Sequence, residues 1–322
     1  MNRPPRISVV IPVYNCKETI GKCLDSLSRI DKCAFEVIIV DDGSTDGTAE
    51  ICERWPAVKV IRLEKGGPSR ARNIGIDAAR GDFVALTDGD CLVDRLWLQE
   101  LENGFSSPLI AGVGGDQKSP EDDSEVGKRI QQFLKTIGFV TGYIKTDQAM
   151  KETEHNPSCN SMYRKEVLRD VGGFDETLWP GEDVELDLKI TTQGYRLIYN
   201  PEAVVYHYRP GNYIDFGRMM LRYGACQWYL VRKYGFFRRI HYVPVLVILG
   251  LGLMMAALAW NPEVWPIILV PWPLLLGWFY IRTLSLKTSV QFAYLMMITL
   301  TNWHWGFFTG WARFPVQSGQ KR

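Results

Sequence analysis

Up to about Arg239 the chain alternates short apolar runs with segments whose apolar residues recur at helical spacing. Ile7 to Val13, Glu36 to Val40, Val58 to Leu63 and Phe83 to Leu86 read as strands, because each is brief, apolar and bounded by turn-forming residues. Ile20, Leu24 and Leu27 mark a helix after the first run. Ala49, Ile51 and Cys52 mark one after the second, and Ser69 to Ala79 one after the third. This alternation predicts right-handed βαβ units and a mostly parallel sheet, hence an α/β fold class. Farther on, Leu109 to Val113, Ser158 to Tyr163, Arg196 to Tyr199 and Ala203 to His207 read as strands. Val126 to Ile137, Lys165 to Val171 and Glu182 to Gln193 read as helices. The acidic and glycine-rich loops follow strands, so they gather on one sheet edge, where open α/β sheets bind ligands.

Beyond Arg239 the pattern changes. Tyr242 to Pro262 carries no charged residue, and after Glu263 a second uncharged run extends from Val264 to Ile281. Both approach the roughly 20 apolar residues that span a bilayer as a helix. Trp260, Trp265, Trp272, Trp278 and Tyr280 concentrate around their ends, as interfacial aromatics do. Arg232, Lys233, Arg238 and Arg239 precede the pair, Arg282 and Lys287 follow it, and the connecting turn has neither Lys nor Arg. Both flanks are therefore expected on the cytoplasmic side. A third run, Thr288 to Ala312, is interrupted by Thr299, Thr301, Asn302 and His304, and is expected to be interfacial or re-entrant. Tyr213 to Tyr234 interleaves Phe216, Met219, Met220, Tyr223 and Trp228 with Arg218, Arg222, Arg232 and Lys233. It suits either an anionic membrane surface or core packing. The expected division is 1–210 catalytic, 211–241 an amphipathic interfacial linker, and 242–322 a membrane domain with helices at about 242–260 and 264–281 and a third segment at about 288–312.

Composition narrows the function class. A formal net charge of +1 gives no reason to expect nucleic acid as a partner. Seven cysteines without a CxxC pair argue against a disulfide framework and against a structural zinc site. Met1 to Arg6 has no signal-peptide pattern, so the catalytic part is expected to face the cytoplasm. The acidic stretch Pro120 to Glu125 reads as a solvated loop.

The candidate chemistry centres on Asp88-Gly89-Asp90, directly after the apolar run Phe83 to Leu86. Two carboxylates one residue apart at a strand tip form an oxygen-rich site for Mg²⁺ or Mn²⁺, shared with substrate phosphates. Val10 to Asn15 ends a strand with an aromatic, polar corner that could grip a base, and Asp41-Asp42-Gly43-Ser44 offers acceptors for base or ribose donors. Gly66 to Asn73 places a glycine loop and two guanidiniums at a helix start, suited to a phosphate or a base edge. Neither GxxxxGK[ST] nor GxGxxG occurs. Downstream, Gly181-Glu182-Asp183 opens a helix, and a carboxylate there can take a proton from an incoming hydroxyl if the metal site lies nearby.

Taken in order, Val10 to Asn15, Val40 to Asp46, Arg70 to Gly75, Asp88-Gly89-Asp90, Gly172 to Asp175 and Gly181-Glu182-Asp183 resemble the family 2 glycosyltransferases of the GT-A fold, over about residues 6 to 210. The resemblance implies a Rossmann-like GT-A domain and an inverting, metal-dependent transfer from a nucleotide diphosphate sugar. By position, Pro12, Tyr14, Asp41, Asp42 and Arg72 would contact the nucleoside, and Asp88 would lie by the ribose and metal. Asp90 would ligate Mn²⁺ or Mg²⁺, and Asp183 would be the base with Glu182 beside it. His207 sits where some relatives supply a further metal or phosphate contact. The Gln-x-x-Arg-Trp signature of processive synthases is missing, so one sugar per encounter is expected. Cys91 to Leu98 resembles envelope-polysaccharide and lipid-linked-glycan transferases, which implies a lipid-linked or cell-envelope glycan acceptor, membrane lipids as partners and a multi-pass cell-membrane location. The competing expectation is a non-catalytic module that binds a nucleotide sugar as a membrane scaffold or regulator.

Overall fold

The computed structural model describes residues 6–31, 34–138 and 149–314, which form two compact units. The first comprises Met1–Gln131 and Gly142–Arg209, the second Gln132–Thr141 and Pro210–Arg322. Cys33, Lys321 and Arg322 lie outside the described residues.

The first unit opens with β1 (Ile7–Val13), α1 (Lys17–Ser28), β2 (Phe35–Asp41), α2 (Thr48–Cys52), β3 (Val58–Arg62), α3 (Pro68–Ala78) and β4 (Phe83–Leu86). It continues through β5 (Cys91–Val93), α4 (Trp97–Asn103), β6 (Ile110–Lys118) and α5 (Glu125–Thr136), whose last residues belong to the second unit. β7 (Lys151–Thr153), a 3₁₀ turn (Ser158–Asn160), β8 (Ser161–Arg164), α6 (Lys165–Asp170), α7 (Glu182–Thr192) and β9 (Arg196–His207) complete it. The strands join in the order β3-β2-β1-β4-β8-β6-β9-β5, with β7 also on β9.

The βαβ half matches the sequence expectation: β1 pairs in parallel with β2 and β4, and β2 with β3. Alternation along β1 explains its layering, since successive strand side chains face opposite ways. Ile7, Val9, Ile11 and Val13 pack with Ile20, Leu24 and Leu27 of α1 and with Trp97 and Leu101 of α4. Val10 faces the other way, into a cluster with Ala71 and Ile76 of α3 and Leu186 and Ile190 of α7. Both faces are covered, so the strands read as continuous apolar runs.

The expectation of a mostly parallel sheet is corrected, because the sheet is mixed. β4–β8, β8–β6, β9–β5 and β9–β7 are all antiparallel. The cause is that β8 returns beside β4 without a crossover in the parallel sense. The two strands expected at Arg196 to Tyr199 and Ala203 to His207 are one strand, β9, whose register against β6 shifts between Gly115 and Asp116. The bulge needs glycine, because a Cβ on Gly115 would meet the Ala203 carbonyl oxygen at 1.8 Å. The acidic stretch is only partly solvated: Asp123 is buried and its carboxylate accepts hydrogen bonds from the Ser124 and Arg209 backbone N–H groups.

The second unit contains α8 (Tyr213–Tyr234), a short 3₁₀ turn (Arg239–Tyr242), α9 (Val243–Trp260), a 3₁₀ segment (Pro262–Leu269), α10 (Pro271–Thr283) and α11 (Leu286–Arg313). Asn212 caps α8 by accepting the Asp215 backbone N–H at 2.9 Å. The apolar residues of α8, among them Phe216, Met219, Met220 and Leu230, are buried. α8 and α11 approach closely where both are small: a Cβ on Gly224 would lie 1.9 Å from the Trp303 carbonyl oxygen, and one on Gly306 would lie 2.0 Å from that of Leu221. Phe133 packs edge-on against Phe216 and Phe292.

One helix among the described residues, Arg239–Trp260, is long and apolar enough to cross a membrane. Its side chains are largely exposed, with Leu246 at 64% and Leu253 at 74%. The several transmembrane helices expected from the sequence are not shown among the described residues. The second apolar run, about 264–281, is not one helix: a 3₁₀ segment containing Pro266 gives way to the 13-residue α10. Proline lacks the N–H that a helix interior needs, which explains the break. The third run, about 288–312, lies within the 28-residue helix α11.

Candidate active site

The carboxyl ends of β1, β2 and β4 lie side by side and deliver the loops at Tyr14, Asp41–Asp42 and Asp88–Asp90 to one edge. The loops are laced together. Asn15 donates its backbone N–H to Ser44 Oγ at 2.9 Å, and its Oδ1 accepts the Thr45 N–H at 2.8 Å. Asp42 is buried, and its two carboxylate oxygens accept the Gly66 and Gly67 N–H groups at 2.7 and 2.8 Å. Asp41, also buried, accepts the Ser44 N–H. Asp42 thus latches the glycine loop to the strand tip. Tyr14 is exposed with the Lys65 ammonium 3.8 Å from its ring centroid, whereas Pro12 is buried within β1.

α3 then gathers the downstream motifs. Ser69 Oγ donates to the Leu178 carbonyl at 2.8 Å. Asn73 donates to the Phe174 carbonyl at 3.0 Å and accepts the Phe174 N–H at 2.9 Å, fixing the Gly172–Asp175 turn. Arg72, 3% exposed, is the hub: Nη1 donates to Glu182 Oε1 at 2.6 Å and Nη2 to Asp88 Oδ1 at 2.8 Å. One planar guanidinium therefore joins the Asp88–Asp90 loop to the start of α7. Burial would drive this guanidinium toward its neutral form, but the Asp88 and Glu182 charges hold it more firmly charged than usual. Burial pushes the Glu182 carboxyl up to about 7, against the pull of Arg72 and with that of Asp183.

Asp183 is buried at the N-terminus of α7, a position that favours negative charge. Its Oδ1 accepts the Val184 N–H at 2.8 Å and its Oδ2 the Ser158 N–H at 3.3 Å. Next to Ser158, Cys159 lies beside Cys91 and His207. His207 Nε2 lies 3.4 Å from Asp90 Oδ1, and Cys91, Cys159 and His207 present ligand atoms all within 4.8 Å of one another. Burial works against charge on both members of the first pair. Even so, Asp90 lifts His207 to about 10, and His207 in turn keeps the Asp90 carboxyl below the usual carboxylate range. A hydrogen bond involving the Cys91 thiol, aided by His207, draws the Cys159 thiol down to about 6 despite burial.

Of the residues singled out in the sequence, Arg72, Asp88, Glu182 and Asp183 meet in one cluster. Asp90 and His207 meet in another that Ser158–Cys159 connects to the first. Tyr14, Asp41 and Asp42 line the adjoining strand tips. Sequence reasoning missed His155, whose Nε2 is 4.0 Å from Asp183 and whose Nδ1 is 2.8 Å from Asp187 Oδ2. Asp187 is fully buried and also accepts the Asn156 N–H and the Tyr163 hydroxyl. The signal was faint: an acidic residue one helical turn after Asp183, in a helix otherwise read only for its apolar face. A divalent cation suits the residues present. Asp90 is 44% exposed, Asp88 keeps one oxygen that Arg72 does not take, and His207 turns a nitrogen toward Asp90. They offer carboxylate oxygens and one imidazole, donor types that Mn²⁺ and Mg²⁺ accept.

These features define a mixed α/β fold with an acidic site at its strand tips, and residues 8–172 match Glycosyl transferase family 2. The chain belongs to that family and is a glycosyltransferase. Glycosyltransferase AglE of Haloferax volcanii is 30% identical over 211 residues, 63% of this chain and 67% of AglE. A Methanococcus voltae enzyme, dolichyl N-acetyl-alpha-D-glucosaminyl phosphate 3-beta-D-2,3-diacetamido-2,3-dideoxy-beta-D-glucuronosyltransferase, is 26% identical over 254 residues, 74% of this chain and 77% of that one. In other relatives the match spans 44% to 61% of their length. Among solved structures, the mannosyltransferase PcManGT of Pyrobaculum calidifontis, in complex with GDP-Man and Mn²⁺, superposes with a TM-score of 0.65 at 23% identity, covering 94% of this chain and 88% of that one. That likeness establishes the GT-A fold.

Proposed function

We propose that this glycosyltransferase moves one sugar, with inversion, from a nucleoside diphosphate donor to a hydroxyl of a lipid-linked or cell-envelope glycan at a membrane. The observation that carries the reading is the Arg72 bridge, which draws Asp88 and Glu182 into one cluster and so sets Asp183 beside the strand-tip loops. Asp183 accepts the acceptor hydroxyl's proton as that oxygen attacks the anomeric carbon opposite the departing diphosphate. Its backbone hydrogen bonds from Val184 and Ser158 fix the carboxylate's orientation before substrate arrives. Tyr14 and the Asp41–Asp42 tip receive the nucleoside, the latter held by its glycine-loop latch. Asp88, Asp90 and His207 would hold a divalent cation, Mn²⁺ or Mg²⁺, which when bound offsets charge on the leaving diphosphate.

The acceptor class is supported by the dolichyl-phosphate substrate in the Methanococcus voltae relative's name and by the exposed apolar surface of α9. On this reading the second unit attaches the chain to the cell membrane, with the catalytic unit on the cytoplasmic side.

The test uses the full chain in liposomes carrying extracted envelope lipids, offered a panel of nucleotide sugars with Mn²⁺, Mg²⁺ or chelator and read by mass spectrometry of the lipids. One donor should glycosylate a lipid only with a divalent cation, and Asp183→Asn should lower that turnover by about 10²–10⁴ while the donor still binds. Equal turnover in chelator, or an Asp183→Asn protein as active as wild type, would refute the proposal.

A further inference from the structure

We infer that Cys91, Cys159 and His207, with Asp90 as the fourth ligand, form a reversible site for a thiophilic divalent cation of the zinc class. No CxxC pair marks it, because the ligands arrive from separate segments: the start of β5, the 3₁₀ turn before β8 and the end of β9. Tertiary structure unites them firmly. Cys91 and His207 are direct partners in the β5–β9 pairing. The turn carrying Cys159 is pinned by Asn160, which donates to the carbonyls of Asp116 and Ala203 at 2.8 Å and accepts from the Trp97 indole at 2.8 Å.

Two of the spacings already match tetrahedral coordination, and a shift of about 1 Å would bring in the others. Zinc lies about 2.3 Å from sulfur and about 2.0–2.2 Å from nitrogen or oxygen, so ligand atoms at the corners stand about 3.3–3.8 Å apart. Asp90 Oδ1 is 3.4 Å from His207 Nε2 and 3.8 Å from Cys91 Sγ, and the two sulfurs and the imidazole lie within 4.8 Å of one another. Both thiols are buried, whereas the Asp90 side chain is 44% exposed to solvent. Two sulfurs select zinc, cadmium or cobalt over the hard cations that carboxylates prefer. Loading the ion returns any protons on the two thiols and on His207 Nε2 to solvent.

The site is not built for permanent occupancy. A metal on Nε2 leaves the ring proton on Nδ1, and there the Arg209 guanidinium stands 3.3 Å away, held by Gln117 and Gln131. Metal-bound histidines ordinarily give that proton to an acceptor. Arg209 therefore weakens binding. Asp90 and His207 also belong to the proposed donor-side cation set, so a thiophilic ion and Mn²⁺ exclude each other. That second consequence rests on the proposed function, whereas the binding itself does not.

The experiment uses the full chain, reduced and stripped by chelator. Co²⁺ should bind with the intense absorption of a tetrahedral thiolate complex, and Zn²⁺ should bleach it stoichiometrically. Cys91→Ala and Cys159→Ala should each weaken Zn²⁺ binding by about tenfold or more, while Cys52→Ala should not. X-ray absorption at the zinc edge of the wild type, which needs no variant, should count two sulfur ligands. A shell of nitrogen and oxygen alone, or cysteine variants that bind as tightly as wild type, would overturn the inference. Zinc should also suppress Mn²⁺-supported donor turnover, with the half-inhibiting concentration raised about tenfold or more in Cys159→Ala. Thiolate spectra without such inhibition would leave the site standing and remove only its overlap with the donor cation.

Discussion

Replacing Arg72 by Met keeps the bulk of the side chain and removes its charge. The guanidinium is nearly inaccessible, and its two hydrogen bonds, 2.6 Å to Glu182 and 2.8 Å to Asp88, serve carboxylates from loops far apart in sequence. Without it, the buried Glu182, already lifted to about 7 beside Arg72, loses its counterion and takes up a proton, and breaking a buried pair in this way costs up to about 3–5 kcal/mol. For a unit of this size each kcal/mol shifts the melting temperature by about 2–4 °C, so Arg72→Met should melt about 6–20 °C below wild type. Arg72→Lys should recover only part of this, because one ammonium cannot reproduce a planar fork shared by two carboxylates. The decisive measurement is a double-mutant cycle with Glu182→Gln, read by thermal and denaturant unfolding of the full chain. Removing the charge at 182 first should make the loss of Arg72 less costly, giving a coupling of about 1–3 kcal/mol. Additivity within about 0.5 kcal/mol, or a variant melting within about 2 °C of wild type, would refute the bridge as the element that joins the two motifs.

Asp42→Ala should free the Gly66–Gly67 loop, costing about 3 kcal/mol for two charged hydrogen bonds and weakening nucleotide-sugar affinity. Calorimetry showing unchanged stability and affinity would contradict the latch. Gly224→Ala places a methyl 1.9 Å from the Trp303 carbonyl, so α8 and α11 must separate. Limited proteolysis should cut the second unit faster than in wild type, and an identical digest would count against the close packing. Glu36 is held below the usual carboxylate range: burial raises it, but hydrogen bonds from Ser8 and Arg80 outweigh that. Its contribution is therefore full above about pH 4.3 and is lost as pH falls through its depressed value. Wild type should lose stability more steeply at acid pH than Glu36→Gln, and parallel pH profiles would exclude the assignment.

Local sequence determined the βαβ half of the catalytic unit, because the period-2 and helical patterns there are set by burial against immediate neighbours. Ile20, Leu24 and Leu27 point one way for that reason, and Val10 turns away from Val9 and Ile11. The carboxylate motifs were equally legible as compositions. Their partners were not. The antiparallel return of β8, the fusion of β9 across its bulge at Gly115, and the break in the second apolar run depend on long-range pairing or on proline geometry. The same holds for the Arg72 bridge, the His155–Asp187 support behind Asp183 and the meeting of Cys91, Cys159 and His207. Sequence periodicity reports which face of an element is buried, but not which distant side chain it is buried against. That second choice fixes how charges pair and which atoms can share a ligand, and folding alone decides it.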